Sequence, residues 1–254
     1  MKLSTSGDSE INAITLVATH TTIPVPPLLR VIHTVERHPE WRYIIIRFIP
    51  GPNLEDCWLI LSWWRKANIL WTLRRYVRQL RRIPLGNRPP GPIGDGPQVC
   101  DGAAFTEVYV CIGLLPCAGL MGANDIDQPR QGSGPFATYA EMSAWFAHKL
   151  VVSQRLKRAR QNVAPFDSSL PLVFTHFDLS PRNLMLDEKN RLWVIDFQLS
   201  GNYPQWFEYA GMLPTWDRFK YHRWITAFVA GNYRKQRIFL VNVDWAVNVG
   251  HLVR

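Results

Sequence analysis

Between His176 and Asp196 the chain sets three chemically matched side chains on one short scaffold. The segment reads His176-Phe177-Asp178-Leu179-Ser180-Pro181-Arg182-Asn183, then Leu184-Met185-Leu186. A polar stretch, Asp187-Glu188-Lys189-Asn190, precedes Leu192-Trp193-Val194-Ile195 and Asp196-Phe197. Two short apolar runs separated by turn-forming residues read as the strands of a hairpin. Asp178, Asn183 and Asp196 then fall just outside the strands, where a rigid support can present side chains to a ligand. A capping Asp and a turn Asn beside an ordinary hairpin would use the same residue types. That plainer arrangement does not require a carboxylate, an amide and a second carboxylate at these offsets.

Phosphoryl transfer from Mg-ATP does require such a set. One carboxylate accepts or orients the proton of the attacking hydroxyl, while an amide and a second carboxylate hold the metal on the phosphates. Protein kinases carry the same order, with the metal Asp in an Asp-Phe-Gly turn; here that turn reads Asp196-Phe197-Gln198. At these residues the sequence resembles the aminoglycoside phosphotransferase and choline kinase-like family, in particular its fungal branch. Thr22-Ile23-Pro24-Val25-Pro26 resembles the family's segment after the first large helix, and Phe48-Ile49-Pro50-Gly51 its interlobe hinge. Tyr203-Pro204-Gln205-Trp206-Phe207-Glu208 resembles the Pro-x-x-x-Glu stretch that follows the metal motif. The resemblance covers most of the chain.

It implies an α+β, protein kinase-like two-lobed fold. Residues 1–49 would form a partial, shortened nucleotide-binding lobe. Residues 50–254 would form a mainly helical lobe for catalysis and acceptor binding. The implied activity moves the γ-phosphate of ATP to a hydroxyl of a small molecule. Asp178 would be the catalytic base, and His176 would brace the catalytic loop through hydrogen bonds. Asn183 and Asp196 would ligate Mg²⁺. Ser180 stands where protein kinases place a Lys, so charge on the transferred phosphate would be met by Arg182 or by the metal. Lys2, held by Glu10, would steady the α- and β-phosphates. The carbonyl of Arg47 and the amide of Ile49 would receive the adenine edge.

Placing Lys2 on the third strand of a small lobe implies two strands and a Gly-rich loop before it. Gly91, Gly94 and Gly96 are interleaved with prolines and follow the hinge, so they do not substitute. The expectation is a reduced small lobe or a truncated gene product. The alternative to an enzyme is then a non-catalytic binding protein of the same fold. After Asp196 there is no Ala-Pro-Glu signature and no room for a long activation segment before Tyr203-Pro204, which argues against protein substrates.

Charged residues are 19% and hydrophobic residues 47%, a balance that folds. The formal net charge of +9 suits a polyanionic nucleotide and argues against a polycationic acceptor. Cys57, Cys100, Cys111 and Cys117 form no zinc spacing and read as reduced thiols. The polar start and the lack of a long apolar run lead to an expected cytoplasmic location with no membrane span. No nucleic acid is expected as a partner.

Elsewhere the pattern predicts a helix over 9–20, ended by Pro24, Pro26 and Pro27. Strands follow at Leu28–Thr34 and Trp41–Phe48, around a turn at His38-Pro39-Glu40, with Ile44-Ile45-Ile46 buried. Residues 62–82 read as a helix with an apolar stripe of Ile69, Leu70, Leu73, Val77 and Leu80. Its opposite face is basic. Such a face is ordinarily solvated, although it also fits a membrane surface or nucleic acid. Thr138-Tyr139-Ala140-Glu141 fits a capping box opening a helix toward Arg160. Asp125, Asp127 and Arg130 belong to an irregular, substrate-facing region. Trp206, Glu208, Trp216 and Asp217 are further candidates for the acceptor site, with an aromatic core as the plainer reading.

Overall fold

The computed structural model describes residues 2–4, 8–33, 42–100 and 134–248. The turn at His38-Pro39-Glu40, Cys111, Cys117 and the Asp125–Arg130 region lie outside the described residues. Strands β1 (Lys2–Ser4), β2 (Leu28–His33) and β3 (Arg42–Ile46) form an antiparallel sheet in the order β1-β3-β2. The β-branched run Ile44-Ile45-Ile46 thus occupies the central strand, as its composition predicts, and Ile44 is buried. Lys2 pairs with Ile44 across β1 and β3.

Helix α1 (Ser9–His20) buries Ala13, Ile14 and Val17, while Ile11 and Leu16 are only partly covered. It ends before the prolines reach it. Thr21 leaves the helical region, and its amide and hydroxyl both donate to the Val17 carbonyl, satisfying an oxygen the last turn leaves over. The Thr22–Pro27 segment then forms neither helix nor strand, and the Thr22 amide and hydroxyl donate to Gln79 Oε1.

The predicted hairpin is present as β6 (Leu184–Leu186) and β7 (Leu192–Val194), with Leu184 opposite Val194. Asp187 closes its turn by accepting from the Arg191 amide, the Arg191 Nε and the Trp193 indole. Both hairpin edges are occupied, which blunts the pairing hazard of a bare edge. On one side the Leu186 amide donates to Pro52 O and Met185 bridges Asn53; on the other the Val194 amide donates to Pro24 O. The segment after α1 and the segment after β3 are therefore hung on the hairpin by main-chain bonds.

Gly51 is what allows that approach. Its φ is +131°, and a Cβ there would lie 1.9 Å from the Leu186 carbonyl oxygen. No L side chain fits without moving backbone.

Helix α2 (Leu54–Cys57) is capped by Asn53, whose side chain accepts from the Asp56 amide. A 3₁₀ turn (Trp58–Ile60) leads into α3 (Trp63–Leu80), which buries Ile69, Leu73, Tyr76, Val77 and Leu80. Leu70 of the predicted stripe is only partly buried; Tyr76, unpredicted, is, and its hydroxyl donates to Leu192 O on the hairpin.

A second sheet has the order β4 (Gly91–Pro92), β8 (Gly201–Pro204), β5 (Leu172–Thr175), with Thr175 opposite Gly201. Helix α4 (Tyr139–Arg155) opens as predicted: Thr138 Oγ accepts from the Glu141 amide, and Glu141 reaches back to the Ala137 amide. It stops short of Arg160 because Lys157 turns left-handed at φ +56°. Helices α5 (Phe207–Thr215), α6 (His222–Ala230) and α7 (Arg234–Asn248) complete the described residues. α4 packs on α7, and Phe146 meets Phe207 at the start of α5.

Gly51→Ala should lower stability by roughly 3 kcal/mol, because the hinge must move away from the hairpin. Denaturant unfolding measures this; an unchanged midpoint would contradict the close approach.

Candidate active site

His176 to Ser180 leave the end of β5 as a buried loop. Two features force its path. The Thr175–Gly201 pair sets its start, and the hairpin ladder sets its end, where the Ile195 amide donates to Asn183 O at 3.0 Å. That ladder places Asn183 opposite Ile195, with Asp196 the next residue along.

Asp178 and Asn183 are in direct contact. The Asn183 amide nitrogen donates to Asp178 Oδ2 at 2.7 Å and to the Asp178 backbone carbonyl at 3.0 Å. With the nitrogen so placed, Asn183 Oδ1 is the amide's remaining ligand atom. Arg182, whose side chain is half exposed, also donates to Asp178 Oδ2, at 2.9 Å. The acid–amide pair, the charge beside it and the second acid thus belong to one loop-hairpin unit. A hard oxygen set of this kind, partly amide and partly carboxylate, suits Mg²⁺, which keeps some water and phosphate ligands.

His176 is fully buried. Its Nδ1 accepts from the Asp178 amide at 3.2 Å, so the ring proton sits on Nε2, which donates to Ile195 O at 3.1 Å. The neutral imidazole therefore ties the segment carrying Asp178 to the segment carrying Asp196. Its ring also meets Phe197 edge-on.

Phe177 and Asp196 adopt left-handed φ values of +69° and +64°. Each conformation costs a non-glycine residue about 1–3 kcal/mol and persists only when its surroundings over-determine it. For Phe177 those surroundings are explicit. Glu208, in the first turn of α5, accepts from the His176 amide through Oε2 at 2.8 Å and from the Phe177 amide through Oε1 at 3.2 Å. Gly211, one turn further on, lets α5 close on the loop: a Cβ there would stand 2.2 Å from the Phe177 carbonyl oxygen. Ser200 donates to His176 O, and the Trp216 indole donates to Leu179 O.

Burial pushes the Glu208 carboxyl up to about 7, against the opposing pull of the His176 and Phe177 amides and of Arg81. Burial likewise lowers the Arg81 guanidinium, opposed by Tyr233 and Glu208. Arg81 donates to the carbonyls of Gln205 and Ala230, so α3 is pinned to the start of α5 and the end of α6.

The other predicted positions lie elsewhere. Glu10 is buried on α1, and Lys2 lies on β1. Arg47 and Ile49 lie between β3 and Gly51; the Arg47 amide donates to Pro27 O, and Ile49 is buried. Trp206 and Trp216 have no exposed surface and Glu208 almost none, so these three belong to the core that supports the loop rather than to an acceptor surface. Asp217 is exposed. Ser200, Gly211 and Arg81 carry no local pattern that would have marked them. Glu208 was marked only by the Pro-x-x-x-Glu stretch.

A buried loop carrying Asp178, an amide and a carboxylate flanking a hairpin, and a glycine turn bonded to that hairpin belong to a kinase-like phosphotransferase fold. Residues 3–239 match the phosphotransferase enzyme family (APH), and the chain belongs to that family. Among solved structures it is similar to a thermostable mutant of aminoglycoside phosphotransferase APH(4)-Ia in its apo form. The identity is 13%, the TM-score 0.51, and the match covers 97% of this chain and 79% of that one. A complex of a mutant of the same enzyme with ADP and hygromycin B gives 12% identity, a TM-score of 0.52 and coverage of 98% and 79%. The GDP complex of a mutant of aminoglycoside 2'-phosphotransferase-IIIa gives 14%, 0.52, and coverage of 96% and 75%. No curated protein matches significantly. At these identities the structures speak for the fold. Among the described residues no helix is long and apolar enough to cross a membrane.

The Glu208 shift has a definite sign. Between its ordinary value of 4.5 and about 7 the folded chain holds a proton that the unfolded chain has released. Its stabilisation is therefore complete below 4.5 and is lost as pH rises through about 7. Compared with Glu208→Gln, the native chain's advantage in denaturant unfolding should shrink by up to roughly 3 kcal/mol between about pH 5 and about pH 8. An advantage independent of pH would contradict this.

Proposed function

We propose that this chain transfers the γ-phosphoryl group of ATP to a hydroxyl of a small molecule. Residues 1–49 contribute to the nucleotide site, and residues 50–254 supply the catalytic and acceptor site. The observation that carries the reading is the contact between Asp178 and Asn183, made on a loop tied through His176 and Ile195 to Asp196. Family membership supports the reaction class. The ADP and AMP-PNP complexes of APH(4)-Ia mutants, each with hygromycin B, support a nucleotide and a small acceptor.

Asp178 takes the proton of the acceptor hydroxyl as that oxygen attacks the γ-phosphorus in line. The new O–P bond forms as the bond to the β-phosphate oxygen breaks, and ADP leaves. Because Asn183 and Arg182 engage Oδ2, Oδ1 is the oxygen turned to the acceptor. Asn183 Oδ1 and the Asp196 carboxylate would hold Mg²⁺, which would neutralise charge on the phosphates. Arg182 supplies positive charge beside Asp178, where Ser180 cannot. Lys2, oriented by Glu10, steadies the α- and β-phosphates. With the Arg47 amide committed to Pro27, the Arg47 carbonyl and the Ile49 amide receive the adenine edge. The basic composition favours acceptors other than polycations.

ADP release across a panel of small alcohols, together with calorimetric nucleotide binding, tests this reading. Asp178→Ala should abolish turnover while leaving Mg-ATP affinity within about twofold. Asp196→Ala should weaken Mg-ATP binding by about tenfold or more. Full turnover by Asp178→Ala would sink the base assignment, and unchanged affinity in Asp196→Ala would sink the metal assignment. Mg-ATP binding with no ADP formed from any acceptor would favour a binding protein of this fold.

A further inference from the structure

Helix α3 has two unlike faces, and the outer one is unusual. Its buried stripe faces the core through Ile69, Leu73, Val77 and Leu80. The opposite, exposed line advances by steps of four and three residues: Trp64, Asn68, Trp71, Arg75, Arg78 and, just past the helix end, Arg82. The line begins aromatic and ends in guanidinium groups. Trp64 is 68% exposed and Trp71 is 58% exposed. Trp63 stacks on Trp64, and the preceding 3₁₀ turn presents Ile60 at 86% exposure, with Leu59 beside it. Helix α6 extends the face sideways: Phe228 meets Trp71, and Trp224, one turn earlier, is 78% exposed.

Charge distinguishes this surface from a scatter of solvent-facing apolar residues. From Trp58 to Gly94 the chain contains no Asp or Glu, while Arg65, Lys66, Arg74, Arg75, Arg78, Arg81, Arg82 and Arg88 fall within it. Arg81 turns inward to Gln205 O and Ala230 O, but neither the proposed phosphotransfer nor the support of the catalytic loop uses Trp64, Trp71, Arg75, Arg78 or Arg82.

We propose that the outer face of α3, with Leu59, Ile60 and Trp224, docks the protein onto an anionic lipid surface. Side chains this exposed project into solvent rather than line a groove, and projecting indole and aliphatic groups suit the headgroup–acyl boundary. The arginines that continue the same line meet acidic headgroups, and no carboxylate in the segment opposes them. Single-stranded nucleic acid would use the arginines and the indole faces, but gains nothing from Leu59 and Ile60 and finds the Trp63 and Trp64 rings already stacked on each other. The helix lies along the surface and does not cross it.

The test is sedimentation of the full chain with vesicles of phosphatidylcholine, with and without phosphatidylserine, at low and high salt. The chain should pellet with the phosphatidylserine vesicles, and added salt should weaken this. Trp64→Ser/Trp71→Ser/Trp224→Ser should reduce partitioning by about tenfold or more. Arg75→Glu/Arg78→Glu should remove the dependence on phosphatidylserine. These two arginines are exposed, so the charge variant keeps the test valid if the tryptophan variant fails to fold; unfolding midpoints are taken for both. A native chain that stays in the supernatant overturns the proposal, as does pelleting that both folded variants retain. Loss in the variants of single-stranded RNA binding, or of a concentration-dependent dimer, with vesicle binding unchanged, would assign the face to nucleic acid or to a second copy instead.

Discussion

The site rests on one buried carboxylate. Glu208 accepts from two successive backbone amides, those of His176 and Phe177, at the point where the chain leaves β5 and enters a left-handed turn. Without an acceptor those amides would be buried donors with their desolvation unreturned, at about 1–3 kcal/mol each. With it, the strained Phe177 backbone is held and the loop has one path. Everything downstream inherits that path: His176 is aimed at the Asp178 amide and Ile195 O, and Asn183 is delivered to Asp178.

The hairpin is the second organising element, and it works by main-chain bonding rather than by side-chain chemistry. Its two edges receive Pro52 and Pro24, so the chain after β3 and the chain after α1 are both indexed to the strands that carry Asn183 and Asp196. Gly51 sets how near the hinge can come. On the proposed function, a nucleotide reaching from the Gly51 turn to Asn183 and Asp196 would span a distance fixed by these bonds, which is the kind of pre-organisation that electrostatic catalysis needs.

What could be read from the sequence was local. The hairpin, the α1 and α3 helices, the central Ile strand and the Thr138 cap all come from patterns spanning a few residues, and each is present. What could not be read was long-range. Glu208 lies 32 residues from His176, and only a weak motif hinted at it; Gly211 and Ser200 had no signal at all, because their roles exist only once α5 and β8 are packed against the loop. The early stop of α4 came from the left-handed Lys157, a conformation no propensity favours in that residue. Trp206 and Trp216, candidates for an acceptor wall, are core instead. Their indoles donate to Asp167 O and Leu179 O, so even their polar edges face inward.

The central claim is that the loop-hairpin unit is a Mg-nucleotide site. It is tested most directly by thermal unfolding of the unmodified chain with ATP, first with Mg²⁺ and then with the metal chelated. A ligand that binds only the folded state must raise stability, by roughly 2.7 kcal/mol at a hundredfold excess over Kd. The account predicts a rise that requires Mg²⁺ and vanishes on chelation. No rise at saturating Mg-ATP, or an equal rise without the metal, would contradict it.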